Sequence, residues 1–190
     1  MELELKRGGR TARVENLGGE LVSYRDERGL EYIWGGDPAY WPGRNPLLFP
    51  IVGMLKEGKI RFDGREYAME RHGFARRREF TPAARGEDWV RLELRESAET
   101  LALYPYPFRL AVEQRLTDTG FSTAVTVANP GEGPLPFCLG AHTGFRCPLE
   151  AGERFEDYEL VFPERESCPT LLLRDGLLDR PAALPCLEDT

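Results

Sequence analysis

"KIRFDGREYAM", Lys59–Met69, reads as two short strands folded about a two-residue turn. Asp63-Gly64 supplies that turn, because glycine adopts positive φ freely and aspartate tolerates it better than most residues. Folding there sets Phe62 opposite Arg65, Arg61 opposite Glu66 and Ile60 opposite Tyr67. The Arg61–Glu66 pair then crosses the strands on one face, with Ile60 and Tyr67 on the other. The same period of two extends outward. "RLAVEQRL" (Arg109–Leu116), a turn at "TDTG" and "FSTAVTVAN" (Phe121–Asn129) predict a second hairpin, and the β-branched Thr123, Val125, Thr126 and Val127 favour strand over helix. Further strands are expected at Leu3–Lys6, Thr11–Asn16, Leu21–Arg25, Tyr32–Trp34, Trp89–Arg95 and Tyr158–Phe162. Helix is scarce. "SAETLALYP" predicts one or two turns, capped by Ser97 and stopped by Pro105. Short strands with frequent Gly and Pro between them argue for an all-β chain, a β-sandwich.

The chain has 190 residues, enough for one sizeable domain spanning 1–190. Its formal net charge is -7, so nucleic acid and anionic lipid are repelled and neither is expected as a partner. No apolar run approaches the roughly 20 residues of a membrane span. "MELELKRGGR" at the N-terminus has no apolar signal region, which points to the cytoplasm. Cys138, Cys147, Cys168 and Cys186 form no C-x-x-C pair, and with only two histidines a zinc site would need an unusual ligand set. Four reduced, mostly buried thiols are the expectation.

The two histidines are His72, in "ERHGFARRREF", and His142, in "LGAHTGFRCP". Arg71, Arg76, Arg77 and Arg78 surround the first, so a solvated basic turn is one reading. His142 stands between small residues that let a ligand approach the ring, and a core histidine is the competing reading. No G-x-S-x-G elbow or glycine-rich phosphate loop occurs. Two imidazoles without metal partners favour proton transfer. Trp34, Tyr40 and Trp41 could stack on a pyranose ring or simply pack. Arg44 and Asn45 are polar groups held between Gly43 and Pro46.

Five segments occur in order: "DPAYWPGRNPLLFPIVG", "YAMERHGFARRREF", "YPFRLAVEQRL", "LPFCLGAHTGF" and "RFEDYEL". From about Leu17 to Phe162 the chain resembles the aldose 1-epimerase (mutarotase) superfamily, and within it the LacX-like branch. The resemblance implies a galactose-mutarotase-like β-sandwich, or supersandwich. It implies interconversion of the α and β anomers of a free aldose, with no metal or organic cofactor. His142 matches the family's general acid, which protonates the ring oxygen, and His72 its companion. Arg44 and Arg76 are the expected substrate-binding residues. The partner is then a small aldose or, given the arginines, a sugar phosphate. A non-catalytic sugar-binding protein on the same fold is the alternative.

Three departures from the family pattern stand out. The family's catalytic glutamate follows the "FEDY" segment at a distance, and the chain is expected to stop at Thr190 before that strand, as the N-terminal part of a longer mutarotase-like domain. A chain without that base is expected to bind aldoses weakly and anomerise them slowly. Asp157, Glu188 and Asp189 are the carboxylates to test as a substitute. Met54 stands where many relatives carry arginine, and Thr143 where proline is common.

Overall fold

Asp63 and Gly64 sit at φ 46° and 79° in the computed structural model, which describes residues 1–164 and 169–182. Among the expectations above, those for Cys168, Cys186, Glu188 and Asp189 fall outside the described residues. The strands in chain order are β1 (Glu2–Arg7), β2 (Arg10–Glu15), β3 (Leu21–Arg25), β4 (Leu47–Leu48), β5 (Lys59–Phe62), β6 (Arg65–Ala68), β7 (Thr81–Arg85), β8 (Trp89–Arg95), β9 (Arg109–Leu116), β10 (Phe121–Ala128), β11 (Gly140–Ala141), β12 (Thr170–Arg174) and β13 (Leu177–Ala182). β5 and β6 pair in the expected register, Phe62 with Arg65, Arg61 with Glu66 and Ile60 with Tyr67. Arg61 and Glu66 form the cross-strand ion pair at 3.3 Å. β9 and β10 form the second hairpin, Phe121 opposite Leu116.

Two sheets carry the fold, one of order β1-β2-β3 and one of order β10-β9-β8-β7. Alternation decides what each contributes. Leu3, Leu5, Ala12, Val14 and Leu21 point inward from the first sheet; Val90, Leu92, Leu94, Leu110, Val112 and Leu116 meet them from the second, in one continuous core. Removing these side chains from water supplies the stabilisation, at roughly 25 cal/mol per Å² of apolar surface. One polar residue crosses this core. Gln114 is buried, donates to the Gly19 carbonyl at 2.9 Å and accepts from the Thr123 hydroxyl at 2.6 Å. With both its groups bonded it ties the β2–β3 turn to the second sheet at little desolvation cost.

Phe49, Phe74, Tyr104 and Phe108 form an aromatic cluster at one end of that core, with Phe49 at 5.3 Å from Phe108 and 6.2 Å from Phe74 between ring centroids. The Tyr104 hydroxyl, buried among them, donates to the Pro136 carbonyl at 2.8 Å. The helix before it, α1 (Ala98–Leu101), is capped as the sequence predicts: the Thr100 N–H donates to Ser97 Oγ at 3.3 Å. It ends well before Pro105: the Leu103 and Tyr104 N–H groups share the Thr100 carbonyl, and Tyr104 lies buried in the core.

Three expectations need correction. Tyr158–Phe162 is not a strand: a 3-10 turn, Phe155–Asp157, precedes it, and no strand pairs with it among the described residues. Tyr32–Trp34 makes only one isolated bridge, Ile33 to Phe145, and the preceding Glu31 carboxylate is bonded to the Ser23 hydroxyl and the Tyr24 and Ile33 N–H groups. Cys138 and Cys147 are exposed, not buried, since both lie on irregular segments that run over the surface. Phe145, Leu160 and Val161 on irregular segments, and Leu171, Leu173 and Leu178 on β12 and β13, also stand in solvent. No helix among the described residues is long and apolar enough to cross a membrane.

Candidate functional site

Residues 45–53 form a ribbon to which both histidine segments are fastened. Leu47, Leu48, Phe49 and Ile51 are buried and fix it against the core. On one side, β11 pairs with β4, Gly140 with Leu48 and Ala141 with Leu47, and the His142 N–H continues to the Pro46 carbonyl at 3.2 Å. On the other, the Phe74 and Ala75 N–H groups donate to the Phe49 carbonyl at 3.0 and 3.2 Å, and the His72 N–H donates to the Gly53 carbonyl at 2.8 Å. The two imidazoles, far apart in sequence, come to 6.2 Å between ring centroids.

His72 is held in an uncommon conformation. Its φ is +67°, left-handed for a non-glycine residue, and Gly73 follows at +70°. The turn brings the ring back over the ribbon, where the Gly53 N–H donates to Nδ1 at 3.0 Å. An Nδ1 that accepts carries no proton, so the neutral ring keeps its proton on Nε2 as a donor. Burial, then the positive charge of Arg76, then His142 and Arg71, hold the imidazole below its ordinary pKa.

That shift has a sign. The unfolded chain takes up this proton first as the pH falls, so the stability from neutral His72 is complete above about pH 6.5 and is lost as the pH drops through the lower folded value. Denaturant unfolding between about pH 8 and pH 5 should show it. The pH-dependent loss should shrink in His72→Asn, a substitution the left-handed backbone tolerates. Equal slopes in both proteins would remove this assignment.

His142 is exposed, with its ring 5.0 Å from that of Trp41. Trp41 is pressed between two glycines: a Cβ on Gly43 or Gly144 would fall 2.7 Å from its ring atoms. Its own carbonyl accepts the Trp34 indole N–H at 2.8 Å. Tyr40, by contrast, stands in solvent with its ring edge-on to Trp34. Of the three aromatics, Trp41 is the one beside a histidine.

The arginines divide. Arg76 lies by His72: its guanidinium donates to the Arg71 carbonyl at 3.0 Å, next to the His72 peptide. Arg44 contributes its backbone, the Gly144 N–H donating to its carbonyl at 2.7 Å, while its side chain turns away to the Gly35 carbonyl at 3.3 Å. Asp157 is engaged with the backbone and side chain of Arg154. Clefts of about 570 and 600 Å³ open elsewhere on the surface, and one of about 620 Å³ opens beside the His72 turn, lined by Glu70, Gly73 and Phe74; neither histidine lines any of the three.

The sequence reading passed over Glu20. Its Oε1 accepts the Arg44 N–H at 3.0 Å and the Asn45 N–H at 2.5 Å. Asn45 Oδ1 in turn accepts the Thr143 hydroxyl at 2.6 Å. One carboxylate therefore fixes the turn that carries the start of the ribbon and, through Asn45, the residue after His142. The local signal was present, since the Gly18-Gly19 turn ends on an acid at the mouth of β3, but its partners lie more than twenty residues away. Glu20→Ala leaves two N–H groups without an acceptor and should cost about 1–3 kcal/mol, measurable by denaturant unfolding. Glu20→Gln keeps one carbonyl acceptor and should recover most of it; no recovery would show that the charge, not the hydrogen bonds, matters.

Residues 1–175 match the family model described as aldose 1-epimerase. The protein LacX (plasmid form) of Lactococcus lactis subsp. lactis is 40% identical over 197 residues, a match covering 100% of this chain and 66% of that protein. A galactose mutarotase related enzyme from Lactobacillus acidophilus superposes with a TM-score of 0.91 at 27% identity, over 96% of this chain and 62% of that one. A galactose mutarotase-like protein from Lactobacillus casei gives a TM-score of 0.76 at 33% identity, over 80% of this chain and 52% of its own. The chain thus spans between about half and two thirds of the length of these relatives, on a galactose-mutarotase-like fold.

Proposed function

The chain belongs to the aldose 1-epimerase family, and from that premise we propose that the His72–His142 site binds an aldose in the cytoplasm and interconverts its α and β anomers. The observation that carries this reading is the convergence of two imidazoles, 6.2 Å apart, on one buried ribbon, with the tautomer of one fixed by a backbone N–H.

Ring opening needs one proton delivered to the ring oxygen and one taken from the C1 hydroxyl. The C1–O5 bond breaks, C1 becomes an aldehyde and rotates, and reclosure reverses both transfers. His142, exposed to solvent, delivers the proton to the ring oxygen. His72 presents Nε2–H as a second, fixed donor that polarises the same oxygen. Trp41 offers an apolar face to the C–H side of the ring. As C1–O5 breaks, its bonding pair stays on O5, which takes the acid's proton; the C1 hydroxyl proton must pass to a carboxylate, a base that the two histidines do not supply, and no covalent intermediate forms. Positioned acid–base catalysis of this kind contributes about 10²–10⁴-fold.

Polarimetry on freshly dissolved α-glucose and α-galactose tests the proposal. A faster approach to anomeric equilibrium than buffer gives, lost in His72→Asn, supports it. Binding of the sugars with no acceleration would favour the other reading, a sugar-binding protein on this fold.

A further inference from the structure

One apolar side chain of the ribbon is left uncovered. Leu47, Leu48, Phe49 and Ile51 are buried, but Val52 is 50% exposed. Its position shows what it faces. The pairing of β4 with β11 continues through the His142 N–H to the Pro46 carbonyl and the Gly144 N–H to the Arg44 carbonyl. Gly140, His142 and Gly144 therefore turn to one face of an extended segment. On that face each glycine leaves a gap beside the imidazole. Val52 stands in one: a Cβ on Gly140 would fall 3.1 Å from Val52 Cγ2. Trp41 stands in the other, 2.7 Å from a Cβ on Gly144. Val52 also precedes Gly53, whose N–H and carbonyl both hold His72. A branched apolar side chain thus occupies the corner between the two histidine segments, open to solvent.

An isopropyl group donates and accepts nothing, so it offers a ligand only shape and apolar surface. We propose that Val52 is a specificity-determining residue that touches the carbon substituent at C5 of the sugar. This rests on the aldose reading above. Both imidazoles then address the ring oxygen, and that oxygen has two carbon neighbours. C1 carries the hydroxyl that must meet a base, and C1 swings when the aldehyde rotates, so a stiff β-branched side chain is ill placed against it. C5 keeps its substituent and configuration through opening and reclosure. In a hexose that substituent presents C–H groups to an apolar neighbour. The ligand class is an aldohexopyranose or 6-deoxyhexopyranose in preference to a pentopyranose, which has only hydrogen there.

Glucose, 6-deoxyglucose and xylose share their configuration at C2, C3 and C4 and differ only at C5. With two histidines in the chain, imidazole NMR signals report the binding of each sugar whether or not the chain turns it over. Glucose and 6-deoxyglucose are expected to bind about tenfold more tightly than xylose, the lower end of what one carbon in an apolar contact gives. In Val52→Ala the two hexose affinities should fall to that of xylose, with xylose itself unchanged. Val52→Thr keeps the shape and trades a methyl for a hydroxyl, so the hexoses should keep their advantage while 6-deoxyglucose loses ground to glucose. Hexose and pentose affinities within about threefold of each other in the unsubstituted protein overturn the contact. A Val52→Ala loss shared equally by all three sugars overturns it too. Polarimetry on the same sugars separates this from the reaction. Unequal binding without faster anomeric exchange leaves the Val52 contact and removes the epimerase, whereas anomerisation of all three at equal affinity does the reverse. Absence of binding by any of the three removes both.

Discussion

With the carboxylate base of the family in place, His142→Ala is expected to slow anomerisation by about 10²–10⁴-fold relative to the same protein unsubstituted, while changing stability by no more than about 0.5 kcal/mol. The two halves of this expectation come from different observations. The imidazole is exposed, and the segment is held by its backbone, through the Pro46 carbonyl and the β4–β11 pairing, neither of which needs the ring. Deleting it leaves the ribbon, Trp41 and His72 in place. What disappears is the group proposed to exchange a proton with the ring oxygen. His72 cannot substitute freely, because its Nδ1 is already an acceptor for Gly53 and its Nε2–H is a fixed donor. The effect should therefore fall on kcat and leave KM close to its original value. Rates within threefold of the unsubstituted protein would take His142 out of the reaction.

Gly73→Ala should be the most damaging single-methyl change in the chain. A Cβ at this position would lie 2.2 Å from the Phe49 carbonyl oxygen and 2.5 Å from its carbon, both backbone atoms of the ribbon. The residue is also left-handed, at φ +70°, which costs an alanine roughly 1–2 kcal/mol by itself. Relief requires the His72 turn to move off the ribbon. That breaks the Phe74 and Ala75 bonds to the Phe49 carbonyl and disturbs the aromatic cluster beneath. A loss of about 4 kcal/mol or more is expected, of the order that unfolds a marginal domain. Thermal unfolding would show it, and a variant within about 1 kcal/mol of the parent would mean the turn has another way to relax.

The hairpins could be read from the sequence because their determinants are local. Asp63-Gly64 sets both the turn and the register within six residues, and the β-branched run of β10 needs no distant partner to favour extension. β7 escaped because "TPAAR" has no alternation; all five of its side chains are exposed, and only pairing with β8 makes it a strand. Tyr158–Phe162 is rich in strand-forming residues, yet with no neighbouring strand among the described residues it joins no sheet. For the site, residue types alone left both histidines undecided, and the family resemblance singled them out. What neither could show was long-range hydrogen bonding. The Gly53 N–H that fixes the His72 tautomer and the Glu20 carboxylate that fixes the Arg44–Asn45 turn are ordinary residues in the sequence. They acquire a role only when the ribbon is laid across the core.

The apolar side chains left in water after residue 144 also set how molecules of this protein treat one another. Leu160 and Val161 are 87% and 79% exposed, and Phe145 and Leu178 each 69%. Such groups attract across molecules at short range, while a charge of -7 keeps molecules apart at long range. The two forces respond to different variables. Salt shortens the repulsion to about 10 Å at 0.1 M without weakening the attraction, and acid removes it near the pI of about 5.1. The colloidal phase behaviour should therefore be steep in both directions. Light scattering should give a positive second virial coefficient in dilute buffer at alkaline pH, turning negative with added salt or on approach to the pI, before any unfolding begins.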